Sequence, residues 1–135
     1  MAKFAATDYA ISINGTQFGT SLNSAELTIE ADDLETTAFG GTFRTRVGGL
    51  KSASITLNFM QDFASGSVDD TLNALVGSIA TVVISPAGTS ISATNPKYTS
   101  TCLVTQYSPF ASSVGDLATF SVTWPVSGTV VRGTV

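Results

Sequence analysis

The residues best suited to chemistry in this chain are the carboxylates of Asp32-Asp33-Leu34-Glu35, followed at short range by Arg44, Arg46 and Lys51. Clustered carboxylate oxygens suit a hard cation such as calcium, and a pair of carboxyls suffices for glycoside hydrolysis. The cluster lacks the spacing and the glycine of an EF-hand loop. Histidine is absent from the chain, which removes the commonest general base, the usual activator of a serine or cysteine, and the commonest zinc ligand. No G-x-G-x-x-G, G-x-x-x-x-G-K-[ST] or G-x-S-x-G occurs. Gly40-Gly41 and Gly48-Gly49 are weak signals for phosphate and read more simply as flexible points of an interface loop. Arg44 and Arg46 share one side of any extended segment, so two guanidiniums are presented together to carboxylates. A phosphate strip is the rival reading. The expectation is that Asp32, Asp33 and Glu35 face Arg44, Arg46 and Lys51, across the base of their own loop or across a subunit boundary. No catalytic residue, metal or cofactor is expected.

The elements that position these groups are two alternating segments. Leu27, Ile29 and Ala31 oppose Thr28 and Glu30, and after the loop Ala53, Ile55, Leu57 and Phe59 oppose Ser52, Ser54, Thr56 and Asn58, so each segment reads as a strand with one buried and one polar face. Between them, residues 32–50 show no helical period and exceed the ordinary hairpin connection of about 2–5 residues. Leu34, Phe39, Phe43 and Val47 make this loop unlike a solvated linker. It reads as a contact loop.

Elsewhere the pattern is also β. A first strand over Tyr9 to Ile13 ends at Asn14-Gly15, the dipeptide suited to a type I′ turn, with a short return strand near Thr16 to Phe18. Asn14-Gly15-Thr16 also spells a glycosylation sequon, for which the turn is the simpler account. One helix is expected between Gly66 and Gly77, with Val68, Leu72, Leu75 and Val76 on its stripe, Ser67 as cap, and Asp69 and Asp70 serving the cap and the helix dipole. Ile79 to Ser85 reads as a strand covered on both faces. Lys97 to Tyr107 and Leu117 to Trp124 form the last long pair, with Ala118, Phe120, Val122 and Trp124 inward and Thr119, Ser121 and Thr123 as a hydroxyl row.

At 135 residues the chain fits one domain that can bury a core without staples. Charged residues make up 12% of it, against an average near 25%, so its polarity comes from Ser and Thr, and its surface has little to repel another copy. A net charge of −4 with six cationic side chains argues against a nucleic-acid-binding domain. Cys102 stands alone and reads as a small buried hydrophobe. The start MAKFAATDYAISI carries no apolar signal core, so the protein is expected to be made and kept in a cytoplasm until released. The uncharged run from Thr71 to Pro96 is too interrupted to be a transmembrane helix.

Sheets faced with Ser, Thr and Asn and nearly free of Lys and Arg suit a water-filled passage for a polyanion as well as a plain solvated sandwich surface. Taken with the blocks SAELTIEADDLETTAFGGTFRTRVGGLKSASITLNFMQDF, SVDDTLNALVG, SATNPKYTSTCLVTQYSP and SVGDLATFSVTWPVSG, and the opening hairpin, the chain resembles the tail tube (major tail) proteins of long-tailed bacteriophages, particularly those of actinobacteria. The resemblance implies a mainly β fold, a sandwich or small barrel with one flanking helix, six copies to a ring, and rings stacked into a tube that carries DNA. It implies a single domain over 1–135, with 32–50 as the stacking loop and Met1 to Thr7 and Arg132 to Val135 as contact arms ordered in the assembly. Inter-ring contacts would fall on Asp32, Asp33, Leu34, Glu35, Phe39, Phe43, Arg44, Arg46, Val47 and Leu50. The lumen would be lined by Thr28, Glu30, Ser54, Thr56 and Asn58, with Thr119, Ser121 and Thr123 as the competing set. Implied partners are further copies of itself, a tape-measure protein, a tail terminator and baseplate or tail-tip proteins, with DNA in transit and no membrane insertion; the implied location is the virion. An Ig-like binding or adhesion module and a carboxylate-based hydrolase are the alternatives.

Overall fold

The computed structural model describes residues 3–135; Met1 and Ala2, the start of the expected N-terminal arm, lie outside the described residues. The first hairpin joins β1 (Ala10–Ile13) to β2 (Thr16–Gln17). Its turn residues Asn14 and Gly15 both have positive φ, at 50° and 87°, as a type I′ turn requires. Asn14 also ties this hairpin to the neighbouring strand: its N–H donates to the Thr81 carbonyl, and its side-chain oxygen accepts from the Thr81 N–H, each at 2.8 Å. A single 3-10 turn over Gly19–Ser21 leads into the long pair β3 (Leu22–Glu35) and β4 (Arg46–Met60). Then follow α1 (Val68–Leu75), β5 (Ile79–Ser85), β6 (Lys97–Leu103), β7 (Thr119–Pro125) and β8 (Val131–Gly133).

The strands form two antiparallel sheets, a five-stranded one in the order β2-β1-β5-β6-β8 and a three-stranded one in the order β3-β4-β7. Ile55, Leu57 and Phe59 of β4 and Phe120, Val122 and Trp124 of β7 are buried against Ile11, Ile13, Ala80, Val82 and Cys102 of the larger sheet. The fold is thus mainly β with one helix. Phe59 stacks on Phe120 at 5.2 Å between ring centroids, and Tyr107 meets the edge of Phe120 at the same distance. Trp124 is fully buried, with its indole N–H donating to the Gln106 carbonyl at 3.1 Å, so the one polar atom of the largest core side chain keeps a partner. Cys102 is buried too, and burial pushes its thiol up.

Several elements depart from the sequence expectation. The contact loop is shorter than 32–50, because β3 continues to Glu35 and β4 begins at Arg46, leaving residues 36–45 as the connection. The alternation changes face at a register shift between Ala31 and Asp33, which hides the strand from a simple period of two. Gly48 and Gly49 therefore lie within β4, and a Cβ on Gly49 would approach the Asp32 Cβ to 3.0 Å. The helix spans Val68–Leu75, without a side-chain bond from Ser67; Asp70 instead accepts from the Gly66 N–H at 2.7 Å. Val76 falls past the helix end and is half exposed, while Val68 and Leu72 are fully buried. β5 is not covered on both faces along its length, since Ile79 and Thr81 are exposed. Ser85, at the other end, is buried with Asn95, whose side-chain amide donates to the carbonyls of Ala87, Thr89 and Ser90. β6 stops at Leu103 and β7 starts at Thr119, leaving Ala118 exposed beside its strand. Arg132, expected in a free arm, sits in β8 opposite Tyr98.

Candidate functional site

The smaller sheet turns one face to the core and the other outward. On the outward face Ser24, Asn58 and Ser121 lie in one row, Glu26, Thr56 and Thr123 in the next, then Thr28 with Ser54, and Glu30 with Ser52. The two sets of residues that compete for the lumen in the sequence reading are therefore parts of a single surface. Its side chains are linked across strands: Thr56 and Thr123 share a hydroxyl hydrogen bond at 3.2 Å, the Ser121 hydroxyl donates to the Asn58 oxygen at 3.1 Å, and the Asn58 amide donates to the Asn23 oxygen. Hydroxyl and amide partners of this kind hold a polar face in register. From Asn23 to Ser52 its only charges are Glu26 and Glu30, because Lys51 opposite Ala31 projects to the other side. Glu26 and Asn23 were missed in the sequence; extending the Thr28, Glu30 alternation back by one step finds Glu26, whereas Asn23 lies at a register shift between Leu22 and Ser24.

Beyond Ala53, whose carbonyl accepts from the Val126 N–H at 2.9 Å just past the end of β7, the β3–β4 ribbon has no third strand paired to it and continues as an arm. Every residue from 29 to 48 is exposed. The arm is held by its own polar contacts. The Thr36 N–H donates to the Thr45 carbonyl and their hydroxyls bond, each at 2.8 Å, while the Thr45 N–H donates to the Thr37 hydroxyl at 3.0 Å. Arg46 donates to Asp33 at 2.5 Å, and Arg44 lies 3.5 Å from Glu35. The arginines thus pair within the arm rather than forming an open strip. Among the described residues no three acidic, histidine or cysteine side chains are grouped to hold a metal. Phe39 at the tip is fully exposed, Phe43 is 85% exposed and Leu50 82%, with Leu34 and Val47 about half exposed.

A second apolar surface lies at the opposite end of the same sheet and was not found from the sequence. Phe63, just past β4, stacks on Phe110, in the connection between β6 and β7, at 5.6 Å. Phe110 is 84% exposed, and Val114 and Leu117, in the same connection between β6 and β7, are exposed too. The two rings are far apart in sequence and are brought together by the pairing of Met60 with Thr119 and by the Gln61 side-chain amide, which donates to the Pro109 carbonyl at 3.0 Å. Beneath them Tyr107 donates to Asp69 at 2.6 Å and accepts from Gln61 at 3.1 Å; burial, with the Asp69 hydrogen bond second, raises the phenol above its ordinary value.

Both edges of the smaller sheet, the outer sides of β3 and β7, have no strand beside them among the described residues. Open edges of this length invite pairing with another chain. No described helix is long and apolar enough to cross a membrane.

No family model matches the chain, and no curated protein matches it. Solved structures do. A chain in the virion of a native gene transfer agent particle superposes with a TM-score of 0.77 at 14% identity, covering 96% of this chain and 98% of that one. A chain in the tail of an empty gene transfer agent particle, solved by helical refinement with C6 symmetry, gives 0.65 at 15% identity over 82% and 81%. A chain from the sheath/tube terminator region of an extracellular contractile injection system in its extended state gives 0.70 at 19% identity over 98% and 97%. At these identities the likeness is one of fold.

Proposed function

We propose that this chain is a structural, non-enzymatic subunit of a tail tube, assembling into stacked six-membered rings around a conduit for DNA. The observation that carries this is the outward face of the β3-β4-β7 sheet: polar, cross-linked by hydrogen bonds, carrying Glu26 and Glu30 as its charges, and flanked on both sides by open edges. Affinity for phosphate comes from Lys and Arg. A wall of hydroxyls, amides and two glutamates leaves passing DNA unbound. Joining the β3 edge of one copy to the β7 edge of the next closes the wall and covers both edges of the smaller sheet in every subunit. The fold shared with chains of a gene transfer agent virion, its C6 tail and a contractile injection system supports the same reading.

In this role Thr28, Glu30, Ser54, Thr56, Asn58, Thr119, Ser121 and Thr123 face the lumen together, and the 32–50 segment reaches the neighbouring ring. A tape-measure protein in the lumen, a terminator at one end and a baseplate or tail tip at the other complete the set of partners. The subunit is made in the host cytoplasm and ends in the virion. Hydrogen–deuterium exchange on monomer and assembled particles tests the closure. The outer-edge amides within Leu22–Glu35 and those of Ser121 and Thr123 on β7 should slow at least tenfold on assembly, and particles whose edge amides exchange at the monomer rate would rule out edge-to-edge joining.

A further inference from the structure

The arm and the Phe63–Phe110 surface stand at opposite ends of one sheet. β4 runs from Arg46 at the arm to Met60 beside Phe63, a span of about 45 Å at roughly 3.3 Å per strand residue. Each end exposes aromatic side chains, Phe39 and Phe43 at one and Phe63 and Phe110 at the other. The arm end carries both signs, with Asp32, Asp33 and Glu35 on β3 beside Arg44, Arg46 and Lys51. Residues 36–50 contain Arg44 and Arg46 and no acid, whereas the far end carries Asp62, Asp70 and Asp116 and no Lys or Arg occurs between 52 and 96 or between 98 and 131.

We infer that the arm tip of one copy docks on the Phe63–Phe110 surface of a second copy. The inference rests on the tube reading and names the receiving surface for its axial contact. Two different patches that complement each other make a head-to-tail contact, and one whose patches lie at opposite ends of the subunit propagates along an axis instead of closing. Arg44 and Arg46 flank the apolar contact, as rim charges do at protein interfaces. Their partners within the arm, Glu35 and Asp33, are exposed surface pairs, weak enough to be traded for Asp62, Asp70 or Asp116 of the next copy.

The test uses full-length protein with Cys102→Ala and one cysteine added at Thr42, at the arm tip, or at Val114, which is fully exposed four residues after Phe110. Mild oxidation of the assembled 1:1 mixture should give a covalent dimer of Thr42→Cys with Val114→Cys, with each variant alone giving at least tenfold less. A dimer of Thr42→Cys with itself would overturn the docking by showing arms that meet arm to arm. In parallel, Phe110→Ser with Val114→Ser should raise the concentration needed for tubes at least tenfold while leaving circular dichroism unchanged. Tubes that form normally in this variant, without cross-links in the mixture, would sink the docking site and leave the tube reading intact. Wild-type protein that forms no tube at any concentration would instead sink both.

Discussion

The two halves of the β3–β4 hairpin share strands, alternation and hydrogen bonding, yet only one is part of a core. In the first half Ile55, Leu57 and Phe59 are fully buried, because β7 pairs beside β4 and the five-stranded sheet lies beneath. In the second, past the pairing of Ser54 with Pro125, the ribbon is two strands wide and Ile29, Leu34, Phe39, Phe43, Val47 and Leu50 are exposed. A two-stranded ribbon is marginal alone in water. The arm is instead held by threonine hydrogen bonds and the Arg46–Asp33 and Arg44–Glu35 pairs. In the proposed tube these side chains, which give the single chain so little burial, are the contact with another copy, and contiguous exposed apolar groups commonly mark such sites.

That contrast can be broken most sharply at the arm tip. Phe39→Ser with Phe43→Ser should abolish polymerisation in a sedimentation assay while shifting the monomer's unfolding free energy by less than about 0.5 kcal/mol, as for other exposed positions. Trp124→Ala, in the buried half, should do the reverse and cost about 3–5 kcal/mol in urea titrations. Charge reversal at Asp33 and Arg46 sharpens the comparison further. Either single reversal should destabilise the arm by about 0.2–1 kcal/mol, and the double reversal should restore it, read from the exchange rates of the arm amides.

The smallest effect is one of pH, in the core half. Burial and the Asp69 hydrogen bond raise the Tyr107 phenol, so the neutral form is favoured by folding. The stabilisation is complete below the unfolded value of about 10 and is lost as pH rises through the folded one. Cys102, also raised by burial, acts in the same direction. Tyr107→Phe should therefore flatten part of the fall in melting temperature above about pH 10, whereas the arm variants should leave that fall unchanged.

The core half was legible because its alternation is regular. Ile55, Leu57, Phe59, Phe120, Val122 and Trp124 follow a period of two with Ser, Thr and Asn between them, and all are buried. The turn at Asn14-Gly15 was equally plain, since both positions accept positive φ. The arm looks like a loop in the sequence because its register shift between Ala31 and Asp33 reverses which residues share a face. The cap was assigned to Ser67 by type, whereas Asp70 reaches back to Gly66. The unity of the polar face was hidden as well. Which of β3, β4 and β7 lie side by side is a matter of long-range pairing, and no local pattern states that Asn58 stands opposite Ser121.

The most direct test is negative-stain electron microscopy of the purified full-length protein across a concentration series, with light scattering on the same samples. A tube subunit should give six-membered rings and hollow tubes whose scattering grows with concentration. A monomer at every concentration would contradict it.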